Sequence, residues 1–464
     1  MFGKTNKLHF IGIGGNGMSG IAELLINKGY FITGSDLMKT FITEKLEKMG
    51  AKIQYKHNAE NVKDADVVVK SSAIDDSNCE IIAAKKKNIP VIRRAEMLYE
   101  LMRMKHGFCI AGTHGKTTTT SMLGMILTEA GLQPTLVIGG VVKNFDSNAV
   151  LGKSEYIVVE ADEYDRSFLT LTPIVAGITN IEEEHVDCYE NAKQLESAFV
   201  QYANSVPFFG LIAVCSDDET IRKLIPRFEK RVLTYGINKE ADVRAENITF
   251  DNFTSQYELI YKSEKMGTIE LSQPGIHNVR NSLLAATIAL EQQVPFIDIR
   301  NGLMKFRGVY RRFERIAFVN DILIYDDYAH HPTEVKATIS AIRSSSARRL
   351  VVIFQPHLYT RTEMFYKKFA QVLSQADLII IADIYPAREK PIKGVSGKSI
   401  FDELKKLGNK KANYIEDLKD IPKYLLKVVK SGDFVITMGA GDVYESGVEF
   451  VKLLEKKQPD KDKR

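Results

Sequence analysis

The run Gly112-Thr113-His114-Gly115-Lys116-Thr117 carries the residue types that grip a polyphosphate. Glycines let backbone NH groups point at phosphate oxygens, Lys116 can reach the outer phosphates, and the Thr117 hydroxyl can bind magnesium. The far glycine of the full G-x-x-x-x-G-K-[ST] spacing is missing, because Ile110 stands in its place. An apolar strand, Phe108-Cys109-Ile110-Ala111, leads into the loop, and Thr117 to Ala130 leaves it as a helix whose N-terminus faces the phosphates. Magnesium needs hard oxygen ligands near that threonine. Glu160 closes the apolar strand Tyr156 to Val159, where a carboxylate points into the ligand crevice. Asp162, Glu163 and Asp165 follow in a dense acidic loop, in which Glu163 reads more readily as a solvated carboxylate than as a site residue. His185 follows another strand end, in Thr179-Asn180-Ile181-Glu182-Glu183-Glu184-His185-Val186-Asp187, and is a further candidate metal ligand.

A second glycine loop stands at the N-terminus. Gly12-Ile13-Gly14-Gly15-Asn16-Gly17 satisfies G-x-G-x-x-G between a strand and a helix, which seats a pyrophosphate on the helix N-terminus. Asp36 ends the next strand, where an acid would meet a ribose. The pattern reports a diphosphate-linked ribose without saying which base it carries, so UDP and NAD are equally open on these residues.

Elements must position both loops. Apolar runs of strand length alternate with longer amphipathic stretches, the pattern of parallel sheets covered by helices. Three blocks emerge. The first starts at Leu8-His9-Phe10-Ile11, runs through a helix over Met18 to Lys28, and has strands at Phe31-Ile32-Thr33, Val67-Val68-Val69 and Val91-Ile92. The second starts at Phe108 and includes Ile174 to Thr179, with a tightly alternating antiparallel addition over Ala241 to Ile269. The third starts near Arg315 and has strands at Ile322 to Tyr325, Leu350 to Phe354, Leu378 to Ile381 and Phe434 to Thr437.

At 464 residues the chain is too long for one core. Its net charge of +4, spread along the whole length, is no signature of a nucleic-acid or membrane partner. The basic run from Lys456 to Arg464 alternates with Asp and reads as a solvated tail. No charged-then-apolar leader opens the chain and no apolar stretch is long enough to span a bilayer. Cys79, Cys109, Cys188 and Cys215 are scattered without a CxxC pair, which suits a reducing cytoplasm.

The Thr113-His114 loop, the run Glu160-Ala161-Asp162-Glu163, and Thr179-Asn180-Ile181-Glu182 followed by His185 together resemble the Mur ligases, which assemble the peptide stem of peptidoglycan. The resemblance covers essentially the whole chain. It implies three α/β domains: a Rossmann-like UDP-sugar domain at 1–107, a central P-loop ATPase-type domain at 108–314, and a Rossmann-like amino-acid domain at 315–464. It also implies UDP rather than NAD at the first loop, with Gly12, Gly14, Gly15, Asn16, Gly17, Met18, Ser19, Asp36 and Ser71 around it. ATP would lie on Gly112 to Thr118, with Asn278 and Asn281 at the adenine, Arg312 meeting the nucleotide, and Asp327 on the ribose or phosphate side. His330, His357 and Arg361 would hold the amino acid, and a guanidinium suits its carboxylate. His330 and His331 have a plainer reading as a loop pair satisfied by backbone. Magnesium would rest on Thr117, Glu160 and His185. Many relatives bridge metals with a carbamylated lysine; Lys193 is available here, but nothing around it singles it out.

The implied reaction is ATP-dependent joining of L-alanine to the lactyl carboxylate of UDP-N-acetylmuramate through an acyl phosphate. Lys116, Asn180, His185, Arg312, His357 and Arg361 would serve it, with His357 as a candidate base or a mere orienter. The third domain would close over the site about a hinge near Arg312. The expected protein is cytoplasmic, a monomer or weak homodimer, with small-molecule partners only. A tripeptide-recycling ligase, a P-loop regulatory NTPase and a nicotinamide oxidoreductase are the alternatives. The last leaves the phosphate loop and its acids without a purpose.

Overall fold

The computed structural model describes residues 5–103, 105–182, 188–387 and 389–456. The tail from 457 onward and His185, with its neighbours 183–187, therefore lie outside the described residues. Three domains, each a mostly parallel sheet covered by helices, follow one another along the chain. They fall into two compact units. One comprises 1–248, 256–270 and 278–307, and the other 249–255, 271–277 and 308–464.

The first sheet is built from β1 (Lys7–Ile11), β2 (Phe31–Ser35), β3 (Lys52–Gln54), β4 (Val67–Lys70) and β5 (Val91–Arg93). Its order is β3-β2-β1-β4-β5, all parallel, so the strand order reverses beside β1. Ligands in open α/β sheets bind outside the strand ends at such a reversal. The glycine loop occupies that place, between β1 and helix α1 (Asn16–Asn27). Helices α2 (Phe41–Lys48), α3 (Cys79–Lys86) and α4 (Arg94–Met102) complete this domain.

The central sheet starts with β6 (His106–Ala111), followed by α5 (Lys116–Glu129), the hairpin β7 (Thr135–Val142) and β8 (Ser147–Val150), then β9 (Tyr156–Glu160) and β10 (Val175–Ile178). After α6 (Ala192–Asn204) come β11 (Leu211–Cys215), α7 (Glu219–Leu224) and β12 (Val232–Gly236). Strands β13 (Val243–Asp251), β14 (Thr254–Tyr261) and β15 (Glu264–Leu271) form the tightly alternating addition, joined by turns too short for parallel crossovers. Helices α8 (Ile276–Glu291) and α9 (Phe296–Lys305) follow. The order β15-β14-β13-β12-β11-β10-β6-β9-β7-β8 places β6 between β10 and β9, both parallel to it. The phosphate loop at the end of β6 thus lies between the strand ends that carry Glu160 and the Thr179-Asn180 run.

The third sheet comprises β16 (Glu314–Val319), β17 (Ile322–Asp327), β18 (Leu350–Phe354), β19 (Leu378–Ile381), β20 (Ala412–Tyr414) and β21 (Phe434–Met438), in the order β16-β17-β21-β18-β19-β20. Only β16 runs antiparallel to its neighbour. Every residue of β18 and β21 is buried, as strands covered on both faces require. Helix α10 (Pro332–Ser345) leaves the end of β17, and α11 (Tyr359–Leu373) follows β18.

Candidate functional site

In the central domain, two glycines of the phosphate loop hold left-handed backbone, Gly112 at φ +127° and Gly115 at +84°. A Cβ on Gly112 would strike Thr179, and one on Gly115 would strike the amide of Asn281, so only glycine fits either place. The end of β10 laces the loop from beneath. Asn180 accepts from the His114 NH at 2.9 Å and donates to its carbonyl at 3.0 Å, while Thr179 donates to the same carbonyl at 2.6 Å. Thr113 accepts from the Glu182 NH at 2.9 Å, and His114 Nε2 lies 3.6 Å from the Glu182 carboxylate. Asn180 thereby fixes the loop's shape.

Lys116 Nζ donates to the carbonyl of Gly112 at 2.6 Å and to both oxygens of Glu163 at 2.9 and 2.8 Å. Glu163 is fully buried. It is not the solvated loop carboxylate that its acidic surroundings suggested, because the ammonium of Lys116 and the Tyr189 hydroxyl on its carbonyl hold it inside. Burial disfavours the charge on Lys116, yet Glu163, Asp162 and Glu160 outweigh it and raise its pKa. The lysine stays cationic.

Thr117 Oγ1 donates to Glu160 at 3.0 Å, and the other oxygen of Glu160 accepts from the Gly139 NH at 2.7 Å. Burial raises the Glu160 pKa, against the pull of Lys116 and these two donors. A carboxylate and a hydroxyl brought together at a phosphate loop suit a hard divalent cation such as magnesium. Lys193 is exposed on α6, where it lines a surface cavity with Arg166 and Gln194 and without Thr117 or Glu160. Asn278 and Asn281 are buried together on the first two turns of α8, their amides 3.4 Å apart, with Asn281 against Gly115. Thr118 is half-buried on the first turn of α5.

In the N-terminal domain, Asp36 accepts from the Gly14 NH at 2.8 Å, so the acid faces the glycine loop. Gly12 turns at φ +77°, its NH bonded to the Ser35 carbonyl, and Ser71 lies close against it. Gly15 caps α1. Met18 is buried in the core, and Ser19 donates back to the Asn16 carbonyl at 3.0 Å. These two side chains brace the loop.

In the second unit, His330, His357 and Arg361 come together. The rings of His330 and His357 lie edge to face with centroids 5.7 Å apart, and Arg361 Nη1 stands 3.3 Å from His357 Nδ1. Tyr385 stacks on His357. An arginine can only donate, so His357 Nδ1 accepts and the ring proton sits on Nε2. That tautomer offers a donor rather than a base, which argues for orientation of a substrate. His330 Nδ1 meets the Tyr328 carbonyl at 2.9 Å, and burial pulls its pKa down to about 3 although Glu334 pulls the other way. His331 caps α10, whose Glu334 accepts from the backbone NH groups of both histidines. His331 thus meets backbone through Nδ1, which accepts from the Thr333 NH at 3.4 Å, while His330 also faces the cluster. Arg312 lies 3.8 Å from Glu334 and over the Tyr328 ring. Burial pushes the Asp327 pKa up to about 6, against a hydrogen bond from Thr338 at 2.6 Å. Leu358, between His357 and α11, holds a left-handed φ of +69°, the kind of strain that clusters at functional loops.

Gly139, Glu334 and Tyr385 were not singled out in the sequence, and Glu163 was read there as a solvated carboxylate rather than a site residue. The signal for Glu163 was its place in the acidic run beside Glu160; the other three had none.

Three family models match the chain: "Mur ligase family, catalytic domain" over residues 7–106, "Mur ligase middle domain" over 110–289, and "Mur ligase, glutamate ligase domain" over 311–441. UDP-N-acetylmuramate–L-alanine ligase of Geotalea uraniireducens is 48% identical over 98% of this chain and 99% of its own. That of Sulfurihydrogenibium is 46% identical over 98% and 99%. Among solved structures, UDP-N-acetylmuramate-alanine ligase from Thermotoga maritima superposes with a TM-score of 0.85, at 29% identity, over 97% of this chain and 100% of that one. A murein peptide ligase from Psychrobacter arcticus superposes at 0.73 with 25% identity, over 98% and 99%.

Proposed function

The chain belongs to the Mur ligase family, and we propose that it joins L-alanine to the lactyl carboxylate of UDP-N-acetylmuramate at the expense of ATP. One observation carries this reading: relatives that bear this activity in their names share nearly half their residues with the chain over almost its full length.

The glycine loop with Asp36 would take the UDP part in 1–107, the phosphate loop would take ATP in 108–314, and His330, His357 and Arg361 would take alanine in 315–464. A carboxylate and a polyphosphate repel each other, so charge must be neutralised before they meet. Lys116, freed from Glu163 by a competing phosphate, would do so from the loop, and Arg312 is a second candidate cation. Magnesium on Thr117 and Glu160 would act there as a Lewis acid toward the phosphate oxygens. His185 is proposed beside them on the family resemblance alone. The carboxylate oxygen attacks the γ-phosphorus and ADP leaves, giving an acyl phosphate. The neutral amine of alanine then attacks the acyl carbon, and the tetrahedral intermediate expels phosphate as the amine loses its proton. Positioning dominates, since the protein forms no bond of its own. Asn278 and Asn281 would meet the adenine of ATP, and Asp327 would serve its ribose or phosphate side.

No helix among the described residues is long and apolar enough to cross a membrane. A cytoplasmic, monomeric or weakly dimeric enzyme with small-molecule partners fits this reading. The test is phosphate release that requires ATP, UDP-N-acetylmuramate and L-alanine together. Turnover with an intact tripeptide in place of alanine, and none with alanine, would overturn it.

A further inference from the structure

Helix α1 turns one face to the β7–β8 hairpin of the central domain. Asn16, Ser19, Gly20 and Glu23 follow the three- and four-residue spacing that shares one side of a helix. Ser147 and Asn148, which open β8, meet the two ends of that face. At the end away from the glycine loop, Ser147 Oγ donates to Glu23 at 3.0 Å. Lys45 of α2 lies 3.1 Å from the same carboxylate and donates to the Asp146 carbonyl at 3.3 Å. Midway, a Cβ built on Gly20 would already touch Ala149 and Asn148 at 3.4 Å, so helix and strand pack closely. At the loop end, the amide of Asn148 donates to the Asn16 carbonyl at 2.6 Å and to Ser19 Oγ at 3.3 Å. Ser19, Glu23, Ser147 and Asn148 are all buried, which makes each of these bonds costly to leave unmade.

The Asn16 carbonyl and the Gly17 NH belong to one planar peptide unit, so a bond that fixes the carbonyl also fixes the direction of the NH. Gly17 is the second residue of α1, where backbone NH groups have no acceptor within the helix and point out of its N-terminus. A phosphate reaches a glycine loop from that side. We propose that Asn148 is a positioning residue: from the hairpin of the central domain it orients the Asn16–Gly17 peptide and holds the Gly17 NH ready for a phosphate. The loop does the binding, and the neighbouring domain sets its aim. The hairpin itself is held independently of Asn148, by Ser147 on Glu23 and by Gly139 on Glu160. Removing the Asn148 amide therefore leaves the hairpin docked, with Ser19 Oγ at 3.0 Å to hold the carbonyl. This rests on the UDP-sugar reading above and adds to it a residue from outside the domain that carries the glycine loop.

Asn148→Ala and Ser147→Ala each remove buried hydrogen bonding between hairpin and helix, but only the first touches the loop peptide. In calorimetry, Asn148→Ala should bind UDP and UDP-N-acetylmuramate roughly five- to twentyfold more weakly, and Ser147→Ala within about twofold of wild type. In steady state, Asn148→Ala should raise the KM for UDP-N-acetylmuramate by a similar factor and leave kcat and the KM for ATP within about twofold. If Asn148→Ala does not fold, Asn148→Ser, which keeps a hydroxyl but draws the donor back from the carbonyl, gives the same reading. Equal affinity losses in the Asn148 and Ser147 variants would reduce the contact to a fastening between domains and overturn the proposal. So would unchanged affinity in the Asn148 variants, or a KM for ATP that rises as far as that for the UDP-sugar. Wild-type protein that binds ATP but no UDP-sugar would overturn the functional reading and this inference together. Wild-type turnover alongside any of the other adverse results would overturn this inference alone.

Discussion

Asp327 and His330 stand close along the chain, yet burial shifts their pKa values in opposite directions, up to about 6 for the acid and down to about 3 for the imidazole. Both shifts favour the neutral form, and each becomes a stability effect with its own sign. From the ordinary 3.8 of an aspartate up to about 6, the fold keeps a proton that the unfolded chain has lost, so Asp327 lowers stability as pH rises. Its shift corresponds to roughly 3 kcal/mol at neutral pH. From about 3 up to the ordinary 6.5 of histidine, the unfolded chain holds a proton that the fold rejects, so His330 raises stability as pH rises. The two slopes oppose each other in the wild type. Asp327→Asn should make the urea midpoint climb more steeply between these values, and His330→Gln should make it fall. Wild-type slopes in both variants would show that neither group titrates abnormally. Lys116→Ala tests the site directly: phosphate release should drop by more than about a hundredfold while UDP-sugar binding persists. Loss of that binding in the folded variant would sink the assignment of separate sites.

At the scale of elements, most of what positions the site was legible in the sequence. The strands before both glycine loops, the helices after them and the strand carrying Glu160 announce themselves by apolar run length and by glycine. The β7–β8 hairpin does not. Its strand Thr135–Val142 carries two adjacent glycines and ends in a register shift against its partner, so no clean alternation marks it. That hidden element supplies Gly139, whose NH fixes Glu160, and a Cβ there would lie 2.6 Å from one oxygen of the carboxylate and 2.7 Å from the other. Glu163 read as solvated for a related reason. Its ion pair with Lys116 joins distant stretches of chain, and an acidic run looks solvated until folding buries it. Gly139→Ala should displace a flexible carboxylate rather than backbone, so the fold should survive while Glu160 leaves Thr117. Turnover should then need roughly tenfold more magnesium, with a melting temperature within about 2 °C of wild type. An unchanged magnesium requirement would mean that Glu160 does not serve the cation.

At the scale of the whole molecule, the second unit is discontinuous in sequence, which no local pattern could reveal. Segments 249–255 and 271–277 cluster with 308–464, although each continues a strand of the central sheet. Phe253 shows what the first segment contributes. Its backbone is left-handed at φ +63°, and its ring lies 5.8 Å from Tyr325, 5.3 Å from Phe434 and 6.2 Å from Phe313. It thereby packs against the core of this unit, which Tyr325, Phe354, Phe369 and Phe434 share. A half-buried phenylalanine in an aromatic cluster contributes about 2 kcal/mol, less than a fully buried one. Phe253→Ala should therefore lower the unfolding midpoint of the second unit by that amount. The glycine loop and the phosphate loop belong to the other unit, so affinity for UDP should be unaffected. Asp251 and Asn252, exposed beside it, should tolerate alanine. A fragment beginning at Gly308 lacks Phe253 and should melt below the same unit in the full chain. If the fragment and the full chain unfold this unit at one midpoint, or if Phe253→Ala leaves it unmoved, the second unit is built from 308–464 alone.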